Sequence, residues 1–356
     1  IGKTNTPEFG LGSNTFNPVY GNTKNPYDLT KTCGGSSGGA AVALATRMLS
    51  ISDGSDMMGS LRNPAAWNNV YGLRPTWGLV PPEPSGEIFL SQLSTLGPMA
   101  RSPKDLALLL DVQANHFDNK FYVSHSESFS NFTAEPCMKG IKIGWLGDWG
   151  GALTFEDELI DLAQNALNEM SSLGAIIYDL RVPFAMNDIW ASWCDLRAWQ
   201  IANGLREIYE DIDKRKYLKP EAIWEIENGL SLSGKDIYNS ALKKSKWYNS
   251  ASELFEKLDL LVLPSTQVWP FDLAEIYPVS INSQKMDTYH RWMQVTVPAG
   301  LLGLPVVNVP IGFGKTGLPA GIQLIGSKGS DGYILSIAQA WHEHTKWPYV
   351  NIPNFN

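Results

Sequence analysis

Two serines in glycine-rich segments are the residues of this chain best suited to chemistry. Ser36 lies in residues 33–39, which read CGGSSGG. Ser60 lies in residues 54–65, which read GSDMMGSLRNPA. A serine hydroxyl is a weak nucleophile until a base removes its proton. Two serines side by side can pass that proton along, provided that a base stands behind the first, so the pair indicates nucleophilic catalysis with a proton relay.

The segments between the two serines must fold so that the serines meet. Residues 38–48 are rich in alanine and apolar nearly all round, which predicts a helix buried in the centre of the fold. Residues 51–56 then read as a short strand or extended run that leads to Ser60. A loop, a helix, a strand and a turn in this order can return the second serine beside the first.

This layout resembles that of the amidase signature family, the Ser-cisSer-Lys amidohydrolases. The family has a GGSSGG block, a helix, a GSD-x-GGS-[IV]-R-x-PA block and a G-L-[KR]-P-T block, and residues 71–76 here read YGLRPT. The spacing from Ser36 to Ser60, 60 − 36 = 24, also matches. Further blocks that match the family pattern, in its order, are residues 1–9, 96–102, 303–305 and 317–326.

The resemblance implies a role for several residues of the two serine segments. Ser60 would be the nucleophile, and Ser36, preceded by a cis peptide bond, would relay protons between Ser60 and a lysine. The backbone N–H groups expected to form the oxyanion hole, which stabilises the tetrahedral intermediate, are those of Met57, Met58, Gly59 and Ser60. The residues expected to support the site without touching substrate are Ser37, Asp56 and Arg62. The implied reaction requires neither a metal nor a cofactor.

Two departures from the family pattern bear on this site. Met58 stands where the family usually has a glycine, so its side chain must point away from the substrate or narrow the pocket. The family's lysine lies upstream of the segment that matches residues 1–9, and Lys3 belongs to that segment and is not the base. We therefore expect the chain, which begins at Ile1, to be the C-terminal three quarters of the family domain and to hydrolyse amides negligibly by itself.

The rest of the sequence predicts an α/β fold. Strands are predicted at residues 141–145, 175–180, 258–264, 305–310 and 320–325. A long amphipathic helix over residues 155–173 links the first two strands, which is typical of a parallel sheet. We expect residues 1–356 to form one domain, with a large mixed, mostly parallel β-sheet covered by helices on both faces. Within it, residues 184–257 read mainly as helices and are expected to form a cap.

Composition restricts the partners of the chain. A net charge of −8 over 356 residues argues against non-specific nucleic-acid binding. Residues 295–313 are uncharged and mostly apolar, but their prolines favour a buried strand with flanking turns over a membrane span. Three widely spaced cysteines make neither a disulfide framework nor a zinc pattern, which fits a reducing, cytoplasmic location.

Three other patterns have alternative interpretations. Residues 35–39 satisfy G-x-S-x-G with Ser37 as nucleophile, but residues 27–32 lack the hydrophobic strand that a nucleophile elbow needs. The five histidines show no setting typical of a catalytic triad, and we expect them at the surface or at pocket rims. Residues 312–317 fit G-x-G-x-x-G, but a strand follows instead of a helix, so a hairpin turn is predicted.

These observations favour an amidohydrolase that cleaves the C–N bond of a linear carboxamide. Its partner would be a small-molecule amide, with no nucleic acid and no membrane. The sequence leaves open whether the chain forms a homodimer and whether an N-terminal segment supplies the lysine. Two other functions also stay open: the glutaminase subunit of a tRNA-dependent amidotransferase, and a binding relative without activity.

Overall fold

The computed structural model describes residues 1–81, 87, 89–114, 128–131, 137–180 and 182–354. Two of the five histidines, His116 and His125, lie outside the described residues. The helices are α1 (Gly38–Ala45), α2 (Arg62–Trp67), α3 (Pro103–Ala114), α4 (Leu159–Ser172), α5 (Met186–Gly204), α6 (Arg206–Glu210), α7 (Ile212–Arg215), α8 (Pro220–Ser231), α9 (Gly234–Phe255), α10 (Val297–Leu302), α11 (Asp331–Thr345) and α12 (Trp347–Val350). Short 3₁₀ helices span Glu8–Gly10 and Arg291–Thr296.

The strands are β1 (Phe16–Asn17), β2 (Gly21–Asn22), β3 (Lys24–Asn25), β4 (Asp28–Thr32), β5 (Ile51–Asp56), β6 (Tyr71–Arg74), β7 (Thr95–Ala100), β8 (Lys142–Trp145), β9 (Ile176–Asp179), β10 (Leu260–Pro264), β11 (Ser280–Ile281), β12 (Gln284–Lys285), β13 (Val306–Phe313) and β14 (Pro319–Ile325). Eight of them form one sheet in the order β5-β7-β6-β13-β14-β10-β8-β9. β3 and β4 pair in a separate two-stranded sheet, so the polar segment at residues 27–32 does contain a short strand, but outside the main sheet.

The main sheet is mixed, as predicted, but the expectation that it is mostly parallel is wrong. β8 pairs in parallel with β9, and these two strands and α4 form the predicted strand–helix–strand unit. β10 also pairs in parallel with β8. The other neighbouring pairs that the structure describes in this sheet are antiparallel. The reason is connectivity: β13 and β14 form a hairpin, and β5, β6 and β7 also pair side by side without a parallel crossover.

The glycine-rich segment at residues 312–317 lies in the β13–β14 hairpin, which confirms the predicted turn. Gly317 N–H donates to the carbonyl of Gly314 at 2.9 Å, and Gly314 N–H donates to the carbonyl of Leu318 at 3.0 Å. The chain therefore reverses here and presents no helix N-terminus to a phosphate.

Helix α2 begins two residues after Ser60 and packs on strands β6, β13 and β14 of the main sheet. A Cβ placed on Gly72 would come within 2.3 Å of the Leu61 carbonyl oxygen, and one on Gly321 within 3.0 Å of the Ala66 Cβ. The absence of side chains at these two strand positions lets the helix backbone approach the sheet closely. The Ser60 segment is thus held against β6 and β14 by packing that tolerates little displacement.

Residues 184–257 are mainly helical, as predicted, and contain α5 to α9. α5 packs against α8 and α9, and α10 packs against α5 and α9. No helix among the described residues is both long enough and apolar enough to cross a membrane. Residues 295–313, which are uncharged and mostly apolar, end the second 3₁₀ helix and then form α10 and β13.

Candidate active site

The two serine segments lie side by side at the starts of α1 and α2. The Gly35–Ser36 peptide bond is cis, as the resemblance implied. Ser37 N–H donates to the carbonyl of Ser60 at 3.3 Å. The Ser37 hydroxyl also donates to the Ser55 carbonyl and accepts from the Ser55 N–H, both at 3.4 Å. These contacts confirm that the fold returns the second segment beside the first.

Ser36 and Ser60 are nearly enclosed, with exposed fractions of 4% and 6%. Among the described residues, no group makes a hydrogen bond with either hydroxyl. Both side chains therefore keep their hydrogen-bonding capacity for a substrate or for each other. Gly10 lines the same space, since a Cβ placed there would lie 3.6 Å from the Ser36 Oγ.

A fully buried carboxylate, Asp56, holds the turn that carries Ser60. Its Oδ1 accepts from the Gly59 N–H at 2.8 Å, and its Oδ2 accepts from the Leu61 N–H at 3.1 Å. Arg62 completes the arrangement with two parallel hydrogen bonds of 2.8 and 2.9 Å to the same carboxylate. Burial acts to raise the pKa of Asp56, but the charge and hydrogen bonds of Arg62, with Arg74 nearby, lower it to about 2. Asp56 is thus ionised at neutral pH and fixes the turn on both sides of Ser60.

Arg62 connects this turn to distant segments of the chain. Its Nη1 donates to the Thr296 carbonyl at 2.8 Å and to the Gln323 Oε1 at 2.6 Å. Arg74, from the YGLRPT block, lies 3.6 Å from Asp56 on the other side. Residues from motif blocks that are far apart in the sequence therefore meet in one buried network beneath Ser60.

The backbone of the turn differs in one respect from the expected oxyanion hole. The N–H of Gly59 is bonded to Asp56, so it is not available to a substrate in this arrangement. The N–H groups of Met57, Met58 and Ser60 have no hydrogen-bond partner in the described part of the chain. Three of the four expected donors are therefore free.

Met58 fits its position because its backbone does not require a glycine. It is not among the residues with positive φ, and its side chain is 3% exposed within the main hydrophobic core. The side chain thus points into the core. Of the two alternatives for a methionine at this position, it therefore points away from the substrate. Gly59 is the position that favours a glycine, because its φ of 83° lies in the left-handed region.

Replacing Gly59 with alanine should destabilise the fold by about 1–3 kcal/mol from the left-handed backbone alone. A Cβ there would also lie 2.7 Å from the Thr296 Cγ2, so the turn must shift and turnover should fall with stability. Urea unfolding of Gly59→Ala beside Gly2→Ala, a position with open space and no positive φ, measures the difference. Equal stability of the two variants would contradict this description of the turn.

One known protein family covers most of the chain. The model of the Amidase family matches residues 1–335. The chain belongs to the amidase family. A glutamyl-tRNA(Gln) amidotransferase component from Clostridium acetobutylicum is 33% identical over 96% of this chain and 74% of that protein.

Solved structures agree with the family assignment. A bacterial aryl acylamidase of the amidase signature family superposes with a TM-score of 0.89 at 26% identity, covering 100% of this amidase-family chain and 74% of the other. The corresponding glutamyl-tRNA(Gln) amidotransferase component from Thermotoga maritima gives a TM-score of 0.80 at 25% identity, covering 100% and 76%. The chain thus spans about three quarters of each of these relatives.

A second buried polar cluster contacts the Ser60 turn of this amidase-family chain, and sequence reasoning missed it. The Arg197 Nε donates to the Glu225 Oε1 at 2.6 Å, and its Nη2 donates to the Tyr289 hydroxyl at 2.9 Å. The remaining nitrogen, Nη1, donates to the Met57 Sδ at 3.1 Å, next to the free N–H groups. No motif marks Arg197 or Glu225, because only the packing of α5 on α8 brings them together.

The histidines do not all lie where the sequence indicated. His290 is 1% exposed and stacks on Tyr289 with ring centroids 4.6 Å apart. His342 is 8% exposed and lies 3.1 Å from the Tyr71 hydroxyl. The expectation of surface or pocket-rim positions is wrong for both, because each imidazole packs among aromatic rings. Burial lowers the pKa of His290 well below its usual range, so it is neutral in the fold.

Proposed function

We propose that this protein is an amidohydrolase that cleaves the C–N bond of a linear carboxamide through an acyl-enzyme on Ser60. The observation that carries the proposal is the contact between the two serine segments. The 3.3 Å bond from the Ser37 N–H to the Ser60 carbonyl holds the cis Gly35–Ser36 turn against the turn that ends in Ser60. Membership of the amidase family supports the reaction class.

The family resemblance implies a specific order of steps. Ser60 loses its proton to Ser36 as its Oγ attacks the carbonyl carbon, and Ser36 passes its own proton to a base. The oxyanion that forms accepts hydrogen bonds from the N–H groups of Met57, Met58 and Ser60. The proton returns along the same path to the leaving amine, the C–N bond breaks, and water then hydrolyses the ester on Ser60.

The base is the part of the proposed reaction for which the described residues show no hydrogen-bonded candidate. No lysine of the described residues is hydrogen-bonded to the Ser36 hydroxyl, and the family resemblance puts the lysine before the block at residues 1–9. We predict that residues 1–356 alone turn over amides on the order of 10²–10⁴ times more slowly than the same residues preceded by a lysine-bearing family segment.

That comparison needs one matched control, in which the lysine of the added segment is replaced by methionine. Initial rates on an anilide, corrected for active protein, should then fall back to those of residues 1–356. Robust turnover by residues 1–356 alone would show that another residue serves as the base.

The similarity to glutamyl-tRNA(Gln) amidotransferase components suggests a second candidate function. The 33% identity to an amidotransferase component favours a glutaminase subunit that works with partner chains. Rates on a primary carboxamide, an anilide and free glutamine distinguish the two. We expect hydrolysis of the carboxamide or the anilide without added protein. Activity on glutamine alone, together with co-purifying partner chains, would favour the second candidate, and no turnover by the lysine-bearing form would favour an inactive relative.

A further inference from the structure

A cavity of about 520 Å³ lies between α5, α9 and residues 89–93. This volume falls within the roughly 300–1,000 Å³ range of pockets that hold small organic ligands. Most of its described wall is apolar and includes Leu90, Leu93 and Ile237. None of the wall residues that the structure describes belongs to either serine segment. The cavity is therefore distinct from the place where Ser36 and Ser60 meet.

Lys244 is the one charged residue in the described wall of this cavity. Its ammonium group has neither a hydrogen bond nor an ion pair with any described residue, whereas its neighbour Lys243 pairs with Asp188 at 3.2 Å. Burial, with the nearby cations Arg74 and Lys328, lowers the pKa of Lys244 to about 8. The fold thus places a cation without a counter-ion at an apolar surface.

A partly buried ammonium group without a partner costs free energy, and an anion placed beside it offsets that cost. The amide side chains of Gln92, Gln200 and Asn249 share the wall and can donate further hydrogen bonds to an anion. An inorganic anion would leave the apolar wall wet, whereas an aliphatic chain would cover it.

We propose that this cavity binds a small amphipathic carboxylate, with its carboxylate group at Lys244 and its aliphatic chain against Leu90, Leu93 and Ile237. This site goes beyond the proposed function, because hydrolysis at Ser60 does not require it. Neither cation near Lys244 can serve as its counter-ion, so the charge of the ligand is the feature that the cavity selects.

The test is calorimetric titration of the purified protein with octanoate, octan-1-ol and octylammonium, which share one chain and differ in charge. We expect octanoate to bind at least about tenfold more tightly than octan-1-ol, and octylammonium and inorganic phosphate not to bind at this cavity. Lys244→Met should reduce octanoate affinity about tenfold or more and leave octan-1-ol affinity unchanged. Lys246→Met, an exposed lysine of the same helix, is the matched control and should bind octanoate like the unmodified protein.

A second variant tests the cavity itself without removing the charge. Ala241 lies in the wall and is exposed, so Ala241→Trp should fill the cavity without disturbing the core and should abolish binding of both octanoate and octan-1-ol. Absence of octanoate binding to the unmodified protein would overturn the proposal. Octanoate affinity that is unchanged in both Lys244→Met and Ala241→Trp would also overturn it, since the ligand would then bind elsewhere.

Discussion

Replacing Ser60 with alanine will lower amide turnover by on the order of 10⁴–10⁶-fold, because the acyl-enzyme can no longer form. The Ser60 hydroxyl makes no hydrogen bond to the described residues, so its removal should leave the melting temperature close to that of the parent protein. The protein used is residues 1–356 preceded by the lysine-bearing family segment, called the lysine-bearing form. Its kcat on an anilide is measured, and thermal unfolding is followed on the same sample.

Ser37→Ala is the matched control for this prediction. Ser37 lies in the adjacent segment and satisfies G-x-S-x-G, but its hydroxyl is bonded in both directions to the Ser55 backbone. We expect Ser37→Ala to retain most of its turnover. Full loss in Ser37→Ala, combined with an active Ser60→Ala, would reverse the assignment of the nucleophile.

Replacing Arg62 with alanine should lower the free energy of unfolding by about 3–5 kcal/mol, because it leaves Asp56 buried without its main partner. Arg62 and Asp56 are both 0% exposed, so water cannot replace the lost contacts. The Gln323 Oε1 and the Thr296 carbonyl would also lose the donor that Arg62 gives each of them. Urea unfolding at neutral pH, followed by tryptophan fluorescence, measures the change.

The exposed pair Arg206–Glu210 supplies the control for that measurement. Its N–O distance is 2.7 Å, even shorter than the 2.8 Å between Arg62 and Asp56, but its side chains are 56% and 60% exposed. Because solvent screens such pairs, Arg206→Ala should change stability by less than about 1 kcal/mol. A loss in Arg62→Ala no larger than that in Arg206→Ala would show that the buried network does not hold the Ser60 turn.

Local sequence was sufficient for most elements that carry the two serines. β5 spans Ile51–Asp56, as predicted, and α1 begins at Gly38, where the glycine–serine loop gives way to alanine. The predicted start of α4 was less accurate, because the amphipathic pattern begins at residue 155 but the helix begins at Leu159. Glu158 just before it has a φ of 73°, a local conformation that hydrophobic periodicity does not reveal.

Properties that depend on long-range pairing could not be read from the sequence. Strand direction in the main sheet depends on β13 lying between β6 and β14, and periodicity carries no such information. The motifs identified Arg62 and Asp56 as residues that support the site. They did not show that the Gly59 N–H donates a hydrogen bond to Asp56. Arg197 on α5 reaches Met57 across 140 residues of sequence, so no local pattern could have identified it.

Acylation of Ser60 is the step on which the proposed reaction depends, and covalent labelling can locate the residue that reacts. The lysine-bearing form is treated with a fluorophosphonate, digested, and the adduct is located by tandem mass spectrometry. We predict one adduct, on Ser60, that is absent from Ser60→Ala and is formed more slowly in Ser36→Ala. An adduct on Ser37, or labelling that persists unchanged in Ser60→Ala, would show that Ser60 is not the nucleophile.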